Sequence, residues 1–342
     1  MEKLFILTGA AGNLGGNVCG LLSERGDHIR ALVLPGDKTA ERLSPGIQKI
    51  EGDLLDDHAL ERLFDVPANT EIYVIHMAAI VTTYPDFNQK IYDVNVKGTK
   101  NILHFCKRYN VRKFVYVSSA SAIPEQPRGV AQKEISMFDP EKVLGFYAKT
   151  KAEATQAVID AAKEGLNASS VYPTGVCGPG DFAFGTMTQV MMDCANEKLP
   201  AGIIGDFDIV DVRDVARGIV LCADKGKAGE GYILAGHLLT LKELFREIHL
   251  HSGVKEIKIM FPFWFMKMLL PFFEVYYKAK KQKPVFTSYS LYSLTRNNLY
   301  SREKAERELG YSVRPASETI DDTLSWLREI GKICKRNGVN MT

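Results

Sequence analysis

The first fifteen residues commit the chain to one kind of architecture. An apolar run, Lys3–Thr8, leads into Thr8-Gly9-Ala10-Ala11-Gly12-Asn13-Leu14-Gly15. Leu14, Val18, Leu21 and Leu22 then recur at helical spacing, and Gly26 stands where a helix would end. A glycine-rich turn between strand and helix lets backbone amides, with no Cβ in the way, approach an anion at the helix N-terminus. The GxxGxxG spacing alone is weak, because a glycine turn with no ligand satisfies it equally well. Its context is specific. The turn follows a strand, opens a helix and is succeeded by a second strand, His28–Leu34, which is the setting of a pyrophosphate turn in a dinucleotide-binding βαβ unit.

Further runs of strand length, Ile47–Glu51, Ile72–His76, Lys113–Ser118, Asn167–Tyr172 and Tyr232–Leu234, alternate with amphipathic stretches through about residue 235. That pattern predicts an α/β fold: a doubly wound parallel Rossmann sheet with a smaller C-terminal substrate lobe. The Rossmann domain is expected over 1–175 and the lobe over 176–342, with 211–235 returning to the sheet. Beyond it, Thr240-Leu-Lys-Glu243 reads as a capping box, and Ser301–Leu309 and Ser317–Ile330 read as helices. A composition of 46% hydrophobic and 25% charged residues excludes a disordered or fibrous chain. A net charge of +2 with no basic stripe gives no case for a nucleic-acid partner. The six cysteines lack metal-ligand spacing, so no metal is expected, and free thiols fit a reducing compartment. The first strand starts at once, with no room for a cleavable signal, so a cytoplasmic location is expected.

TGxxGxxG together with four later segments resembles the extended short-chain dehydrogenase/reductase family, also described as the NAD-dependent epimerase/dehydratase family, and within it the dihydroflavonol reductase and 3-beta-hydroxysteroid dehydrogenase-like members. Gly52-Asp53-Leu54 resembles the stretch that meets the adenine, and His76-Met77-Ala78-Ala79 the end of the fourth strand beneath the pyrophosphate and nicotinamide ribose. Asn95-Val-Lys-Gly-Thr99 resembles the segment with the family's helix asparagine, and Pro173-Thr-Gly-Val176-Cys-Gly-Pro-Gly180 the loop beside the nicotinamide carboxamide. The resemblance implies a cofactor site made of Gly9, Gly12, Asn13, Leu14, Gly15, Asp53, Leu54, Ala78, Ala79, Asn95, Tyr147, Lys151, Pro173 and Val176. It also implies hydride exchange at nicotinamide carbon four and a homodimer through the helices at 88–109 and 147–164. Whether the cofactor is NAD or NADP rests on the end of the second strand, where an acid would meet the ribose 2′-hydroxyl or an arginine a 2′-phosphate. Val33 and Leu34 stand there. Similar reductases carry arginine in place of Leu34, so the reading leans to NAD. Asp37 could turn back to the ribose, and Lys38 could serve a phosphate.

The chain holds five YxxxK matches: Tyr109/Lys113, Tyr147/Lys151, Tyr276/Lys280, Tyr277/Lys281 and Tyr300/Lys304. Residues four apart share a helix face, so only a match inside a helix can place the ammonium beneath its tyrosine. Tyr109/Lys113 runs from a helix into a strand, and the last three fall beyond the sheet; surface pairs are expected for all four. Tyr147/Lys151 alone lies on a helix between strands five and six. Ketone reduction needs a proton donor at the oxygen, and alcohol oxidation needs the same group as base. An ammonium some 4 Å away contributes roughly 4 kcal/mol at an effective dielectric near 20, enough to lower a tyrosine pKa by about 3 units. The hydroxyl that orients the substrate oxygen is expected at the end of strand five. The resemblance selects Ser119, with Ser121 next and Ser118 turned toward the backbone.

Sugar-nucleotide relatives carry a diphosphate-binding arginine at the place that reads here as Phe207, which weakens a nucleotide-sugar substrate unless Arg213 or Arg296 substitutes. Phe261–Tyr277 is dense in aromatics and fits a hydrophobic pocket wall or the lobe's core. Pro262, Lys267, Pro271 and Glu274 interrupt it as a membrane span. A weak membrane-surface contact through 259–283, with its lysines on anionic headgroups, is the second reading. The favoured substrate is a bulky apolar secondary alcohol or its ketone, steroid- or flavonoid-like. A sugar or sugar-nucleotide epimerase or dehydratase is the alternative, and a non-catalytic dinucleotide sensor or scaffold the rival of another class.

Overall fold

The computed structural model describes residues 2–266, 268 and 288–334. Six strands, β1 (Glu2–Thr8), β2 (His28–Val33), β3 (Gln48–Glu51), β4 (Thr70–His76), β5 (Lys113–Val117) and β6 (Ala168–Pro173), form the first half of the chain's sheet. Between and after them come α1 (Asn13–Glu24), α2 (Asp57–Phe64), α3 (Gln89–Tyr92), α4 (Gly98–Arg108) and α5 (Phe146–Lys163), with a π-helical turn over Asp93–Lys97 joining α3 to α4. In the second half, β7 (Gly175–Cys177), α6 (Thr186–Ala195), β8 (Gly202–Ile203), β9 (Asp206–Asp211), α7 (Val212–Lys225), β10 (Gly231–Leu234), β11 (His237–Thr240), α8 (Leu241–Ser252) and β12 (Met260–Phe261) follow. Helices over Ser288–Thr295, Glu303–Leu309 and Ala316–Glu329 come last.

The main sheet has seven parallel strands in the order β10-β6-β5-β4-β1-β2-β3. This is the doubly wound arrangement expected from the alternating pattern, and the order reverses between β1 and β4. All five residues of β5 are buried, as parallel strands covered on both faces require. One apolar layer packs α1 and α7 on one face through Val18, Leu22, Val215 and Ile219, and the other packs α2, α4 and α5 through Leu60, Leu63, Ile102 and Val158. Each such side chain contributes about 1.5–3 kcal/mol on burial. Helix α7 and strand β10 thus belong to the main sheet's layers, although the chain reaches them through small-lobe elements.

The small lobe contains two sheets that the sequence pattern did not reveal, β11-β9-β7 and the pair β12-β8. Strands of two to six residues leave too short a period to read. The capping box is present: the Thr240 hydroxyl accepts from Glu243 N, and the Glu243 carboxylate accepts from Thr240 N.

Candidate active site

The glycine turn is built by backbone crowding. Gly9 has φ +73°, and a Cβ there would lie 2.7 Å from Ala78 N; one on Gly15 would lie 2.1 Å from Gly9 O. Helix α1 opens at Gly12 with no side-chain cap and no acidic residue in its first turn, so its first amides remain available to an anion. A groove of about 970 Å³ begins at Ala10–Asn13 and is bordered by Asp37, Arg42, Gly180 and Phe182. The Arg42 guanidinium lies 3.6 Å from the Phe182 ring centroid, bridging the loops that follow β2 and β7. Amides with no side-chain cap, glycines that no side chain could replace and an adjoining groove together fit a dinucleotide pyrophosphate.

Strand β2 ends at Val33, and Leu34 is 55% exposed just beyond it. The Asp37 carboxylate accepts from Thr39 N and Thr39 Oγ1, which holds it in its own turn while it lines the groove. Asp53 accepts from Leu55 N. The Leu54 side chain is buried against Gly98, and its carbonyl accepts from Asn101 Nδ2 at 2.9 Å. Pro173 ends β6 and Val176 lies in β7, and neither lines that groove, which the chain reaches at Pro179 and Gly180.

Tyr147 and Lys151 stand one helical turn apart in α5, with Tyr147 in the first turn, where the helix dipole favours negative charge on a phenolic oxygen. Lys151 is buried, and its Nζ donates to Val117 O at 2.7 Å and to Tyr116 Oη at 3.2 Å. Burial brings its pKa down to about 7. Ser119 caps the 3₁₀ turn Ala120–Ala122, against which α5 packs, and its Oγ lies 2.8 Å from Ser121 Oγ. Ser118 departs from the expectation that it turns to the backbone. Its hydroxyl is buried 2.6 Å from Thr155 Oγ1, tying β5 to α5.

Asn95 sits one layer behind the site, inside the π-helical turn. Its Oδ1 accepts from Ile80 N at 2.8 Å, and its Nδ2 donates to Ile80 O at 3.0 Å and Thr150 Oγ1 at 3.1 Å. With both amide protons spent, Asn95 holds the Ala78–Ile80 loop and the catalytic helix together. The extra residue of a π-turn is what brings it there. His76, also buried, bonds Thr8 Oγ1 at 2.6 Å and Thr99 Oγ1 at 3.0 Å, and burial and the Lys151 charge drive its pKa down to about 3. Sequence reading named His76 only as the start of the fourth-strand segment and did not single out Tyr116. The available signal was a tyrosine in an otherwise apolar strand, since a buried hydroxyl needs a partner.

Of the rejected tyrosine–lysine pairs, Tyr109/Lys113 does straddle the end of α4 and the start of β5, but Lys113 is buried rather than at the surface. In Tyr300/Lys304, Lys304 pairs with Glu230 at 2.6 Å. Tyr276/Lys280 and Tyr277/Lys281 lie outside the described residues, as do residues 269–277 of the aromatic segment. Within its described part, Met266 is buried, Phe261 and Phe263 pack on the small-lobe core, and Trp264 is 67% exposed. Phe207 is buried in that same core, so the side chain at this place does not face a substrate. Arg213 is committed to Asp211 and Asp322, both at 2.7 Å. Among the described residues Arg296 makes no ion pair, and its Nε is buried without a partner. Among them, too, no group of side chains could hold a metal ion, and no helix is long and apolar enough to cross a membrane.

The NAD dependent epimerase/dehydratase family matches residues 5–235. Sterol demethylase protein B of Methylococcus capsulatus is 28% identical over 332 residues, covering 96% of this chain and 99% of that one. The decarboxylating sterol-4-alpha-carboxylate 3-dehydrogenase of Schizosaccharomyces pombe is 28% identical over 339 residues, covering 94% of this chain and 97% of that one. Among solved structures, that of gox2253 superposes with a TM-score of 0.83 at 29% identity, covering 97% of this chain and 99% of that one.

Proposed function

The chain belongs to the NAD-dependent epimerase/dehydratase family and is an NAD-dependent oxidoreductase of the extended short-chain type, and on that premise we propose that it interconverts a bulky apolar secondary alcohol, steroid- or flavonoid-like, and its ketone. The observation that carries the chemistry is the pair Tyr147 and Lys151 on one face of α5 beside the end of β5. When bound, the cofactor supplies nicotinamide carbon four as hydride donor or acceptor. Ser119 holds the substrate oxygen. Tyr147 gives its phenolic proton to that oxygen during reduction and takes it back during oxidation. Lys151 has spent two of its three protons on Val117 O and Tyr116 Oη, and the third serves the ribose while the charge favours ionised Tyr147. A complete Ser119, Tyr147 and Lys151 set has no use in a sensor or scaffold.

The apolar substrate is supported by the names of the two sterol relatives and by the commitment of Arg213 to Asp211 and Asp322. One observation favours a nucleotide-sugar epimerase as the second reading: the Arg296 Nε, buried without a partner among the described residues. Absorbance of reduced nicotinamide reads turnover of steroid- and flavonoid-sized alcohols, while a binding titration reads nucleotide sugars, because an epimerase returns the hydride and leaves no net reduced cofactor; the two together decide. Saturable binding of a nucleotide sugar, with none for the apolar alcohols, would replace the first reading by the second. We further propose a cytoplasmic homodimer paired through the helices at 88–109 and 147–164. The exposed Ile259, Trp264 and Met268 make a weak membrane-surface contact. Sedimentation with and without anionic vesicles reads both; a monomer that stays in the supernatant refutes both.

A further inference from the structure

Lys151 shares its burial with a tyrosine. Tyr116 is fully buried, its hydroxyl accepts from Lys151 Nζ at 3.2 Å, and the ammonium lies 4.7 Å from its ring centroid. Counting protons fixes the directions next to this pair. Thr99 donates its one hydroxyl proton to Asn95 O at 2.7 Å, so toward His76 Nε2 it can only accept. His76 therefore carries its proton on Nε2 and accepts at Nδ1 from Thr8 Oγ1. The lone pairs of the Tyr116 oxygen are what Lys151 meets on β5. The groups around Lys151 are Tyr116 on β5 and neutral His76 on β4, with Tyr147 one turn before it on its own helix and burial opposing its charge.

We propose that Tyr116 is a positioning residue for the reaction centre: as a buried acceptor on β5, it keeps the Lys151 ammonium charged and in place beside Val117 O. The proposal rests on the reading of Lys151 as partner of Tyr147. It adds to that pair a second tyrosine, which acts through the lysine.

The test is the titration of Lys151 in the protein without substrate, followed by NMR with lysine labelled at Cε and the signal assigned by its loss in Lys151→Met. Tyr116→Phe keeps the ring and removes the acceptor, so the midpoint falls by about one pH unit, equivalent to roughly 1.4 kcal/mol. Tyr116→Met removes the ring as well as the acceptor and moves the midpoint in the same direction. A purely structural role for Tyr116 would lower the melting temperature and leave the midpoint in place, and an unmoved midpoint overturns the proposal. Should Tyr116→Phe fail to fold, an unmoved midpoint in Tyr116→Met does the same. Because no turnover is involved, the titration stands whether or not Tyr147→Phe abolishes activity.

Discussion

Strand β5 has a buried lysine at each end, and the two have opposite uses. At its start, Lys113 Nζ donates to Ser169 Oγ at 2.6 Å, Gly226 O at 2.6 Å and Asn167 Oδ1 at 3.1 Å, one acceptor for each of its three protons. At its end, Lys151 finds two acceptors, Val117 O and Tyr116 Oη. Both pKa values are lowered by burial, Lys151 to about 7. Burying an ammonium is costly unless every proton is received. The satisfied lysine fastens β5, β6 and the end of α7 together. The other keeps a donor in reserve at the C-terminal edge of the sheet, where ligands of doubly wound folds bind.

The contrast breaks most sharply on catalysis. Tyr147→Phe should lower kcat by about 100-fold or more while NADH affinity, read by fluorescence titration, stays nearly unchanged. Retention of more than about a tenth of kcat, a loss under roughly 1.4 kcal/mol, would take the proton-transfer role away from Tyr147 and the functional role from its lysine.

Next come the two lysines themselves. Lys151→Met should reduce kcat and NADH affinity about tenfold or more and yet leave the melting temperature unchanged or raised, since an apolar replacement of a buried charge is neutral or stabilising by about 1–4 kcal/mol. Lys113→Met should leave kcat in place and destabilise by about 1–3 kcal/mol, because three acceptors lose their donor. Denaturant unfolding and kinetics on both variants measure the pair. The reverse assignment of losses would mean that the spare proton of Lys151 has no function.

The smallest effect sharpens the comparison through pH. Lys151 titrates at about 7 in the folded chain and at about 10.4 when unfolded, so between those values the unfolded chain binds the extra proton and stability rises with pH. Lys151→Met lacks that rise. Its stability relative to wild type is therefore most favourable at and below pH 7 and declines toward pH 10. A difference that stays level across that range would mean that Lys151 keeps its proton in the folded chain.

Much of the frame was legible in the residues. The seven main strands fall within two residues of where the apolar runs put them, and the capping box at Thr240 lies where its spacing says. Tyr147/Lys151 was separable from four other matches because Tyr109/Lys113 fails the shared helix face and the other three fall beyond the sheet. The small-lobe sheets escaped because their strands are too short to show a period, and the π-turn because one added residue in a helix leaves no compositional mark.

What the sequence determined by itself is whatever short-range stereochemistry dictates: the strand–turn–helix opening, the glycines that no Cβ could replace, and a tyrosine and lysine four residues apart on one helix. The tertiary structure decided which polar groups those elements meet. Lys151 reaches Tyr116 across 35 residues of chain, Asn95 spends its amide on Thr150 across 55, Lys113 disappears from the surface, and Phe207 faces the lobe's core instead of the cleft. A hydrogen bond or a burial is settled by proximity in space, and spacing along the chain encodes proximity only within a helix turn or a strand pair.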